Sequence, residues 1–265
     1  DGATSADVQG AVTTSNLTTE TAAMVDSVNI AGDLSVSGGT LTVDTANAAV
    51  GGNADINSQV SVTSGSLAVT GTSAIGANVT TSTSQTYTGA ATLDAGGALN
   101  LTGSTVSFGN SLTGDNENLT ITGNGSFTGA VSSIAALQVT GDATTGSTVS
   151  ATSVAFDSNS SLGGNVTATG DITLSDGDGV VLTADTELDG DNVTVSSGVS
   201  GAFTLTLDGA SSVDVQGAVT TTNLTTETAA MVDSINIGGN LSVSGGTLTV
   251  DNGDATVGGD LTSSS

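Results

Sequence analysis

Residues 28–69 read VNIAGDLSVSGGTLTVDTANAAVGGNADINSQVSVTSGSLAV. Seven segments of apolar–polar–apolar form recur in this stretch: Val28–Ile30, Leu34–Val36, Leu41–Val43, Ala48–Val50, Ala54–Ile56, Val60–Val62 and Leu67–Val69. They begin every six or seven residues. Alternation at period two buries one side of a strand and leaves the other in water. The middle positions are mostly Ser, Thr, Asn or Asp, which suit the wet side. Gly, Asn and Asp fall between the segments, where the chain must turn.

Strands this short make no stable sheet alone, but each is stabilised if it stacks on its counterpart one coil away. Three strand-plus-turn units amount to about 20 residues. The expectation is therefore an all-β chain, a three-sided β-solenoid with parallel ladders of Val on Val and Thr on Thr. The pattern resumes at Leu99–Leu101, Val106–Phe108, Leu119–Ile121, Leu137–Val139, Val154–Phe156, Ile172–Leu174 and Val193–Val195. The absence of proline fits, because in such a fold every strand is central and each N–H must donate.

A longer period overlies the short one. Residues 1–58 return at 208–265, offset by 207, with roughly three quarters of positions identical. DGATSADVQGAVTTSNLTTETAAMVDSVNIAGDLSVSGGTLTVD (1–44) becomes DGASSVDVQGAVTTTNLTTETAAMVDSINIGGNLSVSGGTLTVD (208–251). The organisation expected is one continuous solenoid over 1–265, with 1–207 a full tandem unit and 208–265 the start of the next. Asp1 is no natural start and Ser265 falls inside a repeat, so the chain reads as a piece of something longer. A weaker echo relates 106–123 to 193–209. Its offset near 87 residues raises the alternative of tandem Ig-like β-sandwiches, which want longer strands and usually a core aromatic; this chain has no Trp and one Tyr. One segment breaks the alternation: Asn16–Ser27 (NLTTETAAMVDS), repeated unchanged at Asn223–Ser234, reads as a loop or single helical turn leaving the coil.

Composition excludes much chemistry. The 265 residues contain no Lys, Arg, His or Cys, and 26 acids give a net charge of −26. Without His or Cys the usual zinc, haem and thiolate sites are absent, as are Cys nucleophiles and Ser–His pairs. Without Lys there is no Schiff base and no P-loop. Without cations there is nothing to hold phosphates, so nucleic acid is not an expected partner. Anionic membranes repel such a chain, and no apolar run approaches the ~20 residues of a membrane span. Regular Val, Leu and Ile argue against the disorder that charge alone would favour.

Carboxylates are the strong functional groups that remain. Hard cations such as Ca2+ take oxygen ligands from Asp, Asn and carbonyls. The candidate metal-ligating residues are Asp176 and Asp178 in SDGDG, Asp189 and Asp191 in LDGDN, Asp115 and Glu117 in TGDNEN, and Asp251 and Asp254 in DNGD. None matches an EF-hand loop or the calcium-binding nonapeptide repeat, and Asp-Gly or Asn-Gly pairs also simply make turns. Collectively, 26 negative charges without a positive partner repel one another, which bound divalent ions or salt would relieve. Sequons occur at Asn16, Asn78, Asn100, Asn118, Asn165, Asn192, Asn223 and Asn240. Paired acids also serve in glycoside hydrolysis, but no Arg, Lys or His supports them here, so no catalytic residue is expected.

The segments SQTYTGAATLDAGGALNLTGSTVSFGNSL (84–112), LTITGNGSFTGAVSSIAALQVTG (119–141) and GGNVTATGDITLSDGDGVVLTADTELDGDNVTV (163–195) resemble the repeat regions of filamentous-haemagglutinin-like large exoproteins. The resemblance covers roughly 28–265. It implies a right-handed parallel β-helix, export across an outer membrane, and a place in an adhesin, stalk or matrix fibre; no functional residue of that family transfers. The expected function is a structural segment of a secreted extracellular fibre or cell-surface stalk. The alternatives are a spacer in an adhesin whose binding tip lies elsewhere, or, further off, a carbohydrate-active β-helix enzyme. The expected partners are neighbouring repeats or further copies of the chain, and a host or matrix polysaccharide.

Overall fold

A computed structural model describes residues 5–175 and 177–264. Among them the chain forms 29 strands and no helix. Its contacts divide it into two units, 1–135 and 136–265.

In the first unit, strand Leu41–Val43 is followed by Ala48–Val50 and Ala54–Ile56. Val60–Val62 then lies parallel on Leu41–Val43, with Leu41 opposite Val60 and Val43 opposite Val62. Ala48 meets Leu67 and Ala54 meets Ser73 in the same way. Each of these strands pairs with the third strand along, so the coil has three sides and closes after 19 residues. Backbone bonds run from coil to coil: Leu41 N–H donates to the Gln59 carbonyl at 2.9 Å, and Thr63 N–H to the Val43 carbonyl at 2.9 Å.

The second unit repeats the arrangement. Val149 pairs with Val166, Val154 with Ile172 and Ala143 with Ser160, all parallel. Each unit is thus a parallel β-solenoid with coils of about 19 residues, about 14 turns in all. The described ladders are parallel throughout both units, which excludes the sandwich alternative, since Ig-type sheets are antiparallel.

Some strands turn a corner without breaking. Ala22–Ile30 uses residues 23–25 to pair with Leu41–Val43 and residues 28–30 to pair with Ala48–Val50. Val199–Thr226 stays extended for 28 residues, longer than one coil.

The core is a set of vertical columns. In the first unit Val50, Val69, Tyr87, Phe108 and Phe127 stack in successive coils. The Tyr87 and Phe108 rings lie 5.2 Å apart and those of Phe108 and Phe127 5.7 Å, near parallel in both cases. Offset stacking of this kind is the favoured contact between aromatic rings. Buried Gln85 closes the adjoining polar gap. Its amide donates to the carbonyls of Val79 at 2.9 Å and Thr102 at 2.8 Å, and its Oε1 accepts the Tyr87 hydroxyl at 2.9 Å. Burial pushes the Tyr87 phenol pKa well up.

The segment expected to leave the coil does not. Within Asn16–Ser27, Leu17–Thr19 is a strand on Leu34–Val36, and residues from Ala22 onward belong to the corner-turning strand. Its copy behaves likewise, lying in Val199–Thr226 and Ala230–Ile237. The alternation is there but chemically inverted. Thr19 and Ala23 point inward, while Met24 points outward and is 47% exposed. A hydropathy reading misses both strands, because Leu17–Thr19 turns a threonine to the core and Ala22–Ile30 turns a methionine to water.

Candidate functional site: an Asx ladder and two acidic patches

The most regular polar feature lies at one corner of the coil. Asn16 Oδ1 accepts the Asp33 N–H at 2.8 Å. Asp33 Oδ1 accepts the Asn53 N–H at 2.7 Å. Asn53 Oδ1 accepts both the N–H and the hydroxyl of Thr72 at 2.9 Å. The side chain of each coil thus satisfies a backbone donor of the next, a stacked use of the Asx turn's chemistry. A glycine precedes Asp33, Asn53 and Thr72. A Cβ on Gly52 would meet Asp33 Oδ1 at 2.4 Å and the Gly32 carbonyl carbon at 2.6 Å; one on Gly71 would meet Asn53 Oδ1 at 2.5 Å. Close approach between coils therefore demands the Gly-Asp and Gly-Asn pairs at 32–33 and 52–53.

The duplicate carries the same ladder. Asn223 Oδ1 accepts the Asn240 N–H at 2.8 Å, and Asn240 Oδ1 accepts the Asp260 N–H at 2.9 Å. Other sequon asparagines are rungs too. Asn78 Oδ1 accepts the Asn100 N–H at 2.8 Å, and Asn165 Oδ1 the Glu187 N–H at 3.1 Å. In the sequence alone these residues look like turn residues and sequons. The signal that finds them is an Asx just ahead of a strand, recurring after one coil length, as at 16, 33 and 53.

The first acidic patch contains Asp115 and Glu117. They line a cleft of about 300 Å3 with Asp94, Gly96, Gly97 and Asn118. Glu117 is only 5% exposed. Its Oε1 accepts the N–H groups of Ala95 at 3.1 Å and Gly96 at 3.2 Å, and its Oε2 the Asp115 N–H at 2.6 Å. Both oxygens tie backbone together, and the left-handed φ values of Gly96 (+63°) and Asn116 (+67°) shape the turns they clamp.

The second patch gathers four acids on neighbouring coils. Asp189 sits opposite Asp208 in a parallel ladder, so two carboxylates occupy adjacent rungs. Partial burial raises the Glu187 pKa, and the charges of Asp189, Glu227 and Asp208 raise it further. Asn165 Nδ2, on the preceding coil, donates to Glu187 Oε2 at 3.0 Å.

The remaining candidates are dispersed. Asp191 accepts the Ser211 hydroxyl. Asp178 donates its N–H to Asn159 Oδ1 at 3.3 Å and borders a cleft with Asp142. Asp251 accepts the Asn252 amide at 3.4 Å, and the Asp254 carbonyl accepts the Ile235 N–H at 3.1 Å. Asp176 lies outside the described residues. Among the described residues, no three acidic groups converge so as to hold a metal ion.

Compared with protein-family models, with curated proteins and with solved structures, the chain finds no significant match.

Proposed function

We propose that the chain is a non-catalytic structural segment of a secreted, repetitive fibre or cell-surface stalk. One observation carries this reading. The duplicated sequence is also duplicated structure, strand for strand at an offset of 207. Leu34–Val36, Leu41–Val43, Ala48–Val50 and Ala54–Ile56 recur as Leu241–Val243, Leu248–Val250, Ala255–Val257 and Leu261–Ser263. A repeat that conserves its coil register is one that stacks in an array, since each coil finds its partners only in its neighbours. Polar outer faces, an interior of Val, Leu and Ile, and a surface with acids but no cations suit a polymer exposed to solvent. Neighbouring repeats of the same chain are the first partners, divalent cations the counter-ions, and an uncharged polysaccharide the matrix contact such a surface tolerates.

The reading is tested by electron microscopy of source material labelled with an antibody against residues 84–195. Label along extended filaments giving a ~4.8 Å axial reflection supports the fibre. Label confined to single stalks at the cell surface supports the adhesin spacer. Antigen recovered only as dispersed intracellular protein overturns both.

A further inference from the structure

The chain contains two methionines, Met24 and Met231, and both face water. Met24 is 47% exposed and Met231 43%. They stand at the same place in the two copies, inside the run 16–27 that returns unchanged at 223–234. Each has a described coil on either side. Met24 lies between Asp7 on the preceding rung and Thr42 on the next. Met231 lies between Asp214 and Thr249 in the same way. The neighbouring inward residues, Val25 and Val232, do the packing and are buried.

Packing does not ask for methionine at these positions. An outward strand position favours threonine or another β-branched residue, and the next rungs carry Thr42 and Thr249. Methionine usually serves to fill irregular gaps in a core, and here it fills none. Its thioether is nevertheless the most readily oxidised group the chain has. There is no Cys, Trp or His. The single tyrosine, Tyr87, is 0% exposed within the aromatic column. Susceptibility to oxidation follows exposure, so the oxidation chemistry of 265 residues is concentrated on two sulfur atoms.

We infer that Met24 and Met231 are modification sites, one in each copy, where a neutral peroxide places one oxygen atom on sulfur while the coil stays folded. The sulfur lone pair attacks one peroxide oxygen. An S–O bond forms and the O–O bond breaks. The departing hydroxide takes the proton from the sulfur-bound OH and leaves as water. Sulfur is oxidised to the sulfoxide and the peroxide is reduced. The neutral class follows from the surroundings: Asp7 and Asp214 on the preceding rungs, and Asp26 and Asp233 two residues along, repel an anionic oxidant. A methionine sulfoxide disrupts a core because it is polar. At an outward position the new oxygen stays in water, with a threonine hydroxyl on the next rung as a donor. The chemistry belongs to the single chain and needs no array.

The experiment treats the full 265-residue chain with hydrogen peroxide beside free methionine and follows the mass. Cleavage after glutamate puts Met24 in fragment 21–117 and Met231 in fragment 228–265, so each oxygen can be placed. The expected result is one oxygen on each of these two fragments, taken up within about threefold of the rate of free methionine, as exposure dictates. The melting temperature of the oxidised chain should equal that of the untreated one. The double variant Met24→Leu, Met231→Leu should fold equally well and take up no oxygen. Slower uptake at either methionine, oxygen on another fragment, or a melting temperature lowered by oxidation overturns the inference.

Discussion

Asp33 and Asn240 occupy the same rung of the two repeats, one a carboxylate and the other an amide, and each presents Oδ1 to a backbone N–H of the next coil, at 2.7 and 2.9 Å. Above them the choice is reversed, Asn53 against Asp260. What the position requires is a short acceptor; the charge is interchangeable. Asp33→Asn should leave the melting temperature unchanged or slightly higher, since it removes one of 26 like charges. Asp33→Ala should cost about 1 kcal/mol, the usual net value of a hydrogen bond, in urea denaturation. Equal losses for both substitutions would refute the ladder as a stabilising device.

The aromatic column holds the largest fully buried side chains of the first unit, Tyr87, Phe108 and Phe127. Phe108 touches a ring above and a ring below. Phe108→Ala should cost about 3–5 kcal/mol. Phe108→Leu should cost less, because it keeps apolar volume and forfeits only part of the stack. Chemical denaturation of both variants gives the comparison.

Thr226 is 0% exposed, and its hydroxyl has no partner among the described residues. Burying an unpaired hydroxyl costs about 1–3 kcal/mol. Thr226→Val replaces it with a group of equal shape, so the melting temperature should rise. A fall would place an undetected donor or acceptor beside Oγ1.

The Glu187 patch predicts a pH dependence. A carboxyl whose pKa is raised by folding holds its proton more tightly in the fold than in the unfolded chain. Its ionisation therefore opposes folding. Stability should fall as pH rises from about 4.5 through the raised value. Glu187→Gln should shrink that slope and raise the melting temperature at pH 7. Scanning calorimetry from pH 4.5 to 7.5 checks both.

Salt should raise stability at pH 7, because the 26 acids have no cation to pair with. Calcium chloride and sodium chloride at equal ionic strength separate screening from binding. A larger gain with calcium, reduced in an Asp189→Asn, Asp208→Asn double variant, would put divalent ions on that patch. Equal gains would reduce the effect to screening alone.

The fold was legible because its message is written in hydropathy at period two and repeated once per side. The seven strands of 28–69 lie where alternation puts them. Strands with Ser or Thr facing inward were harder to see, as at Ser73–Ile75, Ala143–Thr145 and Ser160–Leu162. A solenoid interior accepts a small hydroxyl that can reach a nearby carbonyl, as Ser160 does toward Ser158, and such residues look like surface in a linear reading. The polar sites were less legible for a related reason. Glu117 and Asp115 were singled out as neighbours in sequence, and they do share a cleft. The Asx ladder and the Asp189–Asp208 pair join residues 17–22 apart, and one coil length must be known before those residues can be aligned.

Pairing with the third strand along has a consequence for how such a chain can change length. Coil lengths vary, from 16 residues between Val12 and Val28 to 22 between Val79 and Leu101, and the corners absorb the difference. Whole turns are therefore the quantum of insertion and deletion. Excising residues 41–59 would seat Val60–Val62 where Leu41–Val43 had been and leave every later strand on its own side. Excising a single strand and its corner would rotate everything downstream by a third of a turn, setting each column against the wrong neighbour. Genetic drift in such a molecule is ratcheted: it lengthens or shortens by full revolutions, as a screw advances by its pitch.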